Sequence, residues 1–575
     1  MDNQRLLIWA FFGVMVWMTY QAWVQDYGPK PEAVSPTEVE APDAPPQEGT
    51  PPDVDGLPQL VVEEQDLPTT ARPAAEAQAP DSAPLDAPVI HVTTDVFDIE
   101  INTRGGTLQR AVLPRYPVAK DRPDEPVQLL SASATDIGLI RSGVRSLNGR
   151  ASADSAAQFE VPRLSYALGS TDEIVVPLTW SDDTGVTVRK EFRFRRGSYR
   201  IDLEQTLANG SSAEWRGDGF VQIVRRFAEQ ERSMFDVDSY SFAGPIIFNG
   251  ESSEKLDRDD LLEDGPAQYT TTNGWLAAIQ HHFLSAAVPE ADKAHIFHIK
   301  LAKDMATQSV IATTVSVAPG DEHTFRQTLF VGPKLQAQLE EIHPRLKLTV
   351  DYGFLTILSQ PLFWLLSKAY ALFANWGVAI ISVTILIKLV FYKLTESSGR
   401  SMAKMRNLQP RIKALQERYK EDRQQLSQAM MDLYKREKVN PAAGCLPILI
   451  QMPFFLAFYW VLLESVEMRQ APFALWITDL SSRDPYFILP VIMGASMFLQ
   501  QKLNPQVGDP VQVKVMQIMP IIFTAFFAFF PSGLVLYWVT NTVLSIAQQW
   551  KINKVVEAES KQKKGGKKKK EKAKD

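Results

Sequence analysis

Lys388 is the residue of this sequence whose position points most directly to a function. It lies within the apolar stretch 376–394, which otherwise has the composition of a membrane-spanning helix. A charged side chain in hydrocarbon is costly, so its ammonium group should face protein, water or a polar ligand. The alternative is snorkelling, because the nearer helix end is only roughly 9 Å away at about 1.5 Å per residue. Its neighbours in the fold must decide between the two.

Other residues capable of chemistry give weaker signals. The pair His281-His282 has no Cys, Asp or Glu at metal-ligand spacing around it, and the acidic run 257–260 lacks the Gly and terminal Glu of a calcium loop. No G-x-x-x-x-G-K-[ST] motif occurs, so nucleotide hydrolysis is unsupported. The one cysteine, Cys445, cannot form an intrachain disulfide. We therefore expect a protein that is not an enzyme and has no metal or cofactor.

Short alternating runs over residues 89–332 predict a large all-β domain. Examples are 97–101, 186–194 and 199–204, where apolar and polar residues alternate between clusters of Gly, Asn and Asp. Period-2 alternation of this kind is typical of half-buried antiparallel strands, and many in succession indicate a sandwich. About 240 residues is large but acceptable for one all-β domain.

The N-terminal region predicts an anchor followed by a tether. Residues 6–24 are apolar and follow Arg5, and no small-x-small cleavage pattern comes after them, so residues 1–25 should be an uncleaved transmembrane helix. At roughly 28 Å it is long enough to span the hydrocarbon core. Residues 26–88 are rich in proline and acids and poor in aromatic residues, which predicts a disordered linker.

Apolar stretches after residue 354 predict that this part of the chain is embedded in a membrane. Residues 333–375 should contain a linker and, over 355–373, an amphipathic helix in the membrane interface. Five further transmembrane helices are expected within 376–550, at about 376–394, 446–463, 486–500, 517–530 and 534–550. Several are short, roughly 20 to 27 Å against a hydrocarbon core near 30 Å, and short spans thin the bilayer around them.

Charge in the loops predicts the topology. The loop 395–444 and the tail 551–575 are rich in Lys and Arg, whereas the loop 464–484 contains only Arg469 and Arg483. Positive loops stay in the cytoplasm, so six spans place both termini inside and the β domain outside.

The basic loop also has a regular apolar seam. Met405, Leu408 and Ile412 repeat at helical spacing, and Leu426 and Met430 continue the pattern after a polar turn. This predicts a helical hairpin over 395–443 with a basic outer face for docking; the alternative is a solvated loop that only sets topology. The Lys-rich tail is expected to be disordered and to bind ribosomal RNA or anionic lipid, or to serve as a topology anchor. The basic residues proposed for ribosome or partner binding are Lys404, Arg406, Arg411, Lys413, Lys568 and Lys569.

Several short motifs lie along the second half of the chain. They are Ser401-Met402-Ala403-Lys404-Met405, Leu408-Gln409-Pro410, Val439-Asn440-Pro441, Gly444-Cys445-Leu446-Pro447, Gln451-Met452-Pro453, Arg469-Gln470-Ala471-Pro472-Phe473, Asp479-Leu480-Ser481 and the run 530–538 around Pro531-Ser532-Gly533. Together they resemble the motifs of the YidC/Oxa membrane protein insertase family. The match covers roughly residues 351–552, and the β domain and first anchor resemble the Gram-negative members.

The resemblance implies a polytopic α-helical membrane protein with six transmembrane helices, a periplasmic β-supersandwich and a cytoplasmic helical hairpin, in the bacterial inner membrane. It also implies that Lys388 lies in a hydrophilic groove with Thr384, Gln451, Asn541 and Ser545. The family often has Arg at this position; Lys keeps the charge but loses the bidentate fork. The alternative for the four polar residues is ordinary hydrogen bonding between helices.

The function implied is insertion, folding and assembly of membrane proteins, alone or with the Sec translocon, without nucleotide hydrolysis. Burial of the client's apolar segment supplies the free energy. Expected partners are nascent membrane proteins, the Sec translocon, the ribosome, the signal recognition particle pathway and anionic lipids, and no DNA. Adaptable Met and Phe side chains are expected to contact clients; the client-contacting candidates are Met452, Pro453, Phe454, Phe523 and Phe527.

Two alternatives come from other functional classes. A secondary solute transporter would use Lys388 as an anion site, but no internal repeat is found between the spans. A carbohydrate-acting or carbohydrate-binding β-sandwich on a membrane stalk would need converging carboxylates or aromatic platforms, which the sequence does not place.

Overall fold

The computed structural model describes residues 87–227, 241–419, 422–437, 439, 446–503 and 510–571. The predicted anchor, the linker up to residue 86 and the motif residues 440–445 lie outside the described residues. The chain divides into two compact units between Val350 and Asp351. We refer to them as the β unit, which ends at Val350, and the helical unit, which begins at Asp351.

The described residues of the β unit form nineteen strands. Their bounds are β1 Val89–Thr93, β2 Asp98–Asn102, β3 Thr107–Ala119, β4 Arg122–Leu130, β5 Gly138–Ser146, β6 Ser165–Ala167, β7 Glu173–Ser181, β8 Val186–Arg195, β9 Arg200–Asn209, β10 Trp215–Arg226, β11 Ala243–Phe248, β12 Ser253–Lys255, β13 Ala267–Thr271, β14 Trp275–Gln280, β15 Phe283–Pro289, β16 His295–Ala302, β17 Met305–Ala312, β18 Val315–Val317 and β19 Glu322–Pro333. The predicted strands at 97–101, 186–194 and 199–204 are confirmed as β2, β8 and β9.

The strands form two sheets, in accordance with the predicted sandwich. One has eleven strands, with the path β13-β16-β17-β10-β5-β3-β2-β1-β6, and with β18 beside β10 and β4 beside β3. The other has eight strands in the order β12-β11-β14-β15-β19-β9-β8-β7. Residues along β9 alternate between half-buried and buried, as expected for a strand that packs one face on the core.

Gly219 shows how closely the two sheets approach. It lies on β10 of the eleven-stranded sheet, and a Cβ atom there would come within 2.6 Å of the Phe325 ring on β19 of the other sheet. Such a distance is a steric clash, so the packing of the sandwich requires glycine at this position.

Lys190 is fully buried between the sheets. Its Nζ donates hydrogen bonds to the carbonyl oxygens of Gly105 and Ser142, at 2.7 and 2.8 Å, and lies 4.7 Å from the centre of the Phe159 ring. Burial lowers the pKa of Lys190 to about 7, against the opposing effect of Asp154. The interior of the β unit therefore contains an amine held by backbone oxygens.

Helices account for most of the helical unit. The β unit contributes α1 Arg258–Glu263 and α2 Gln336–Ile342. The helical unit has α3 Thr356–Phe373, α4 Trp376–Val390, α5 Tyr392–Arg418, α6 Arg423–Arg436, α7 Leu446–Glu464, α8 Ile488–Leu503, α9 Pro510–Phe527 and α10 Ser532–Glu571.

Local backbone signals separate the first helices of this unit. Helix α3 ends at Ala374, which adopts the left-handed conformation, and Asn375 caps α4 by accepting a hydrogen bond from the Val378 amide. The predicted span 376–394 is interrupted at Phe391, where α4 and α5 meet at a bend of 70°. Lys388 therefore lies in the last turn of α4, closer to a helix end than the predicted span 376–394 implied.

Helix α10 is longer than predicted. It begins at Ser532, whose amide donates to the Ser482 carbonyl, and the next amide, of Gly533, donates to Leu480. It then continues to Glu571, so the disorder predicted for the basic tail is wrong as far as that residue. Lys, Glu, Gln and Ala favour helix, and extending an existing helix avoids the unfavourable nucleation step.

Taken singly, none of the helices in the described parts of the chain has both the length and the hydropathy of a membrane span, whereas the bent pair of α4 and α5 has both when taken together. The six-span arrangement stays a prediction.

Candidate functional site

Lys388 and Ser545 join α4 and α10. The Lys388 Nζ donates a hydrogen bond to the Ser545 Oγ at 2.8 Å, and that hydroxyl in turn donates to the Asn541 carbonyl oxygen at 2.7 Å. Lys388 is half-buried, so its charge is held within the helical unit beside a polar partner. Snorkelling alone does not describe this geometry.

A small cavity adjoins this hydrogen bond. It offers about 40 Å³ to the centres of water-sized molecules, more than the roughly 10–15 Å³ that one water needs. Polar side chains and aromatic rings from α4, α5, α7 and α10 share its wall. The lining residues are Thr384, Ile387, Lys388, Phe391, Thr395, Ile450, Gln451, Phe454, Tyr537 and Asn541.

The structure thus brings together all five residues predicted for the groove. Thr384, Lys388, Gln451 and Asn541 line the cavity, and Ser545 binds the lysine. Thr384 is 1% exposed and donates its hydroxyl hydrogen to the Ile380 carbonyl oxygen of its own helix at 2.6 Å, so its hydroxyl can only accept further hydrogen bonds. A cation with polar groups around a space for water can attract and hold a carboxylate or another polar group.

Gln548 extends the polar contacts toward α5, and sequence reasoning missed it. Its Nε2 donates to the Thr395 Oγ1 at 2.8 Å and to the Tyr392 carbonyl oxygen at 3.3 Å. Gln548 follows Ser545 by three positions, so both lie on one face of α10. That spacing is the signal that would have found it, together with the polar residue Thr395 at the start of α5.

The same face of α10 continues along α5. Ile552 and Val556 pack on Ala403, and Glu559 pairs with Arg400 at 3.1 Å. Helix α10 therefore connects the wall of the cavity to the first half of α5.

The predicted client-contacting residues have different environments. Met452 is 39% exposed, and Phe454 is half-buried against the Phe391 ring at 5.4 Å. Pro453 and Phe523 are also half-buried. Phe527 is only 1% exposed and lies among aromatic rings that include Trp538 at 5.3 Å, so it is not on the surface as a client contact requires. Among the α9 side chains that the structure describes, the large exposed apolar ones are instead Met516, Ile518, Met519, Ile521, Ile522 and Phe526.

Helices α5 and α6 pack through the predicted apolar seam. Met405, Leu408 and Ile412 of α5 form a buried cluster with Tyr434 of α6 and with Val439. Lys404, Arg406, Arg411 and Lys413 are all exposed, and Arg411 pairs with Glu437 at 2.6 Å. Lys568 and Lys569 fall within α10.

The paired histidines and the acidic run 257–260 form no metal site. The rings of His281 and His282 stack at 3.7 Å. Within the described ranges, no group of three or more His, Cys, Asp or Glu residues is arranged to hold a metal ion.

Comparisons with known proteins identify the family. The family model described as 60Kd inner membrane protein matches residues 368–561, and the model described as YidC periplasmic domain matches residues 89–365. A protein of Methylococcus capsulatus named membrane protein insertase YidC is 46% identical over 564 residues, covering 97% of this chain and 99% of that protein.

Two further relatives bear the same name. The protein of Thioalkalivibrio sulfidiphilus is 45% identical over 568 residues, covering 97% of this chain and 99% of its own. The protein of Nitrosococcus oceani is 43% identical over 566 residues, covering 97% of this chain and 100% of its own. The resemblance predicted from the motifs is confirmed. The chain belongs to the YidC membrane protein insertase family.

Proposed function

We propose that this chain inserts membrane proteins into the bacterial inner membrane, and that the cavity at Lys388 receives the polar segment that each client must move across. The observation that supports this role is the hydrogen bond from Lys388 to Ser545 beside a cavity with polar walls. Its relatives are named insertases, which agrees with a protein that is not an enzyme.

The free energy comes from the client. Burying about 20 apolar residues releases far more free energy than moving a short polar tail requires, at roughly 25 cal/mol per Å². The barrier is the passage of the tail through hydrocarbon, and a wet, cationic recess part way across lowers it. No nucleotide hydrolysis is needed.

Lys388 attracts acidic client segments electrostatically. An ammonium group has three N–H donors, and the described residues provide one acceptor for it, the Ser545 hydroxyl. Water or a client carboxylate can accept from the others. Because lysine is a point charge without the fork of arginine, we propose attraction of acidic tails and not paired recognition of one carboxylate geometry.

The proposed topology places the cavity on the cytoplasmic side. The anchor 1–25 and helices α4, α7, α8, α9 and α10 form six spans, with both termini and the hairpin of α5 and α6 in the cytoplasm. The match to a periplasmic domain supports an outer location for the β unit. Exposed apolar residues on α7 and α9, such as Met452 and Ile522, are then available to clients.

The parts of the chain proposed to lie in the cytoplasm are rich in positive charge, which favours contact with negatively charged partners. Lys404, Arg406 and Lys413 are exposed on α5, and the Lys-rich end of α10 carries further charge. We propose that they contact the ribosome, the signal recognition particle pathway or anionic lipids. The Sec translocon is a further proposed partner, with which the chain would share clients.

Crosslinking to a stalled nascent membrane protein tests the client path. A photo-reactive residue at Met452 or Ile522 should crosslink to the client's apolar segment, whereas one at Ile357 on α3, which is 90% exposed, serves as an exposed control off the path. Crosslinking from Ile357 that equals the other two would contradict the path. Solute flux into client-free proteoliposomes would instead favour the transporter alternative, which family membership does not support.

A further inference from the structure

The β unit contains a cavity of about 210 Å³ that the proposed insertion mechanism does not use. It lies beside the first half of β19, because β15 pairs with β19 only from Gln327 onward. This volume is about five times that of the cavity at Lys388 and is large enough for a small organic molecule. The segments after β15 and after β17 complete its wall.

His295 offers a hydrogen-bond acceptor at this cavity. The residue is 4% exposed, lines the cavity, and places its Nδ1 2.8 Å from the Lys293 carbonyl oxygen. A carbonyl oxygen only accepts, so Nδ1 carries the hydrogen and Nε2 of the neutral ring has a lone pair. Burial lowers the pKa of His295, which favours this neutral form. Among the described residues, Nε2 has no partner.

Arg326 offers donors and charge at the same cavity. Its Nε lies 3.3 Å from a Glu204 carboxylate oxygen, in a surface pair of little energetic value. Its terminal nitrogens have no hydrogen-bond partner among the described residues. The other cation of the lining, Lys293, is already neutralised by Glu290 at 2.8 Å. Arg326 is therefore the cation with donors left to bind an anion.

We propose that this cavity binds a small hydroxycarboxylate, whose hydroxyl group donates to His295 Nε2 and whose carboxylate pairs with Arg326. A simple carboxylate would leave the histidine acceptor unpaired, and a neutral polyol would leave the guanidinium without an anion. The half-buried His323, also on the lining, packs edge-on against Phe325 with ring centres 4.7 Å apart, so that part of the wall is aromatic. The site does not depend on the insertase proposal.

Titration calorimetry on the full chain in detergent micelles tests this with three probes of equal carbon number. D-gluconate has both groups, sorbitol lacks the carboxylate, and hexanoate lacks the hydroxyls. Gluconate should bind saturably, and the other two at least about tenfold more weakly. Absence of saturable gluconate binding, or equal binding of sorbitol, would overturn the proposal.

Variants locate the binding. Arg326→Gln and His295→Asn should each weaken gluconate binding about tenfold. Asparagine keeps a donor for the Lys293 carbonyl oxygen but lacks an acceptor at the position of Nε2. His295→Gln supplies an oxygen at that position and should retain affinity.

Arg122→Gln is the matched control, because Arg122 is 53% exposed and pairs with Glu125 at 2.9 Å. If the control weakens binding as much as Arg326→Gln, the site is refuted. Arg326 is exposed, so its variant should fold even if the histidine variants do not.

Discussion

Two lysines, one in each unit, are removed from bulk water in different ways. Lys190 is 0% exposed and donates to two backbone carbonyl oxygens, with an aromatic ring on a further side. Lys388 is half-buried, donates to one hydroxyl and adjoins a cavity. A buried amine whose donors are met by backbone stabilises a fold, whereas one with donors directed at open space is available to a ligand.

The comparison predicts opposite outcomes for the two sites. Changing Lys190 should affect the stability of the β unit and leave the groove chemistry intact. Changing Lys388 should affect insertion and leave stability almost intact.

The largest expected effect is on the stability of the β unit. Lys190→Met keeps the bulk of the side chain but leaves two buried carbonyl oxygens without their donor, at about 1–3 kcal/mol each when unpaired. At pH 9, where the folded amine is neutral, we expect the free energy of unfolding to fall by about 2–4 kcal/mol. The loss should be smaller at pH 7, because the variant no longer buries a charge there. Hydrogen exchange of β-unit amides in the full chain measures it.

Arg189→Met is the matched control, because Arg189 is exposed on the same strand. It should change stability by less than about 0.5 kcal/mol. If Lys190→Met is as mild as this control, Lys190 does not stabilise the sandwich.

The next effect is a pH dependence of stability. The pKa of Lys190 is about 7 in the folded state and near 10.5 when unfolded. Between these values the unfolded chain binds more protons, so stability should rise with pH across this window, by up to about 1.4 kcal/mol per pH unit.

The difference between the wild type and Lys190→Met isolates this contribution. Hydrogen exchange, corrected for the intrinsic rates, should show the wild type gaining about 1–3 kcal/mol on the variant from pH 7 to pH 9. A constant difference, or a gain toward low pH, would show that the amine is not destabilised by burial.

A smaller effect is expected where α10 holds α5. Gln548→Leu removes the hydrogen bonds to Thr395 and Tyr392, each worth about 0.5–1.5 kcal/mol. Amides near the start of α5 should exchange several-fold faster, while those of the β unit stay unchanged. Lys551→Leu, at an exposed position on the same helix, is the control. Equal exchange in both variants would mean that Gln548 does not hold α5.

The sequence was informative wherever a single segment carried the signal. Period-2 alternation predicted β2, β8 and β9, and an isolated charge in an apolar stretch identified Lys388. The same alternation places Lys190 on the inward side of β8, between Val188 and Phe192. Motif resemblance then supplied the groove residues that composition cannot place.

What the sequence missed depends on contacts between distant segments. Gln548 and Thr395 are 153 residues apart, so nothing local marks them as partners. Phe527 was predicted to contact clients, but its ring packs against those of Phe455 and Trp538. Composition alone predicted disorder for the Lys-rich tail. It does not show that the tail continues a helix that has already formed.

A charge exchange between the insertase and its client tests the central claim most directly. Insertion into proteoliposomes is measured for wild type, Lys388→Glu and a control, with clients whose short tails are acidic or basic. The control is Lys502→Glu, the same charge reversal at an exposed position in the last turn of α8. Lys388→Glu should slow insertion of the acidic tail by about tenfold or more and should insert the basic tail at least as well as the wild type. If Lys388→Glu lowers insertion of both tails equally, the lysine holds the helices together and does not attract the client.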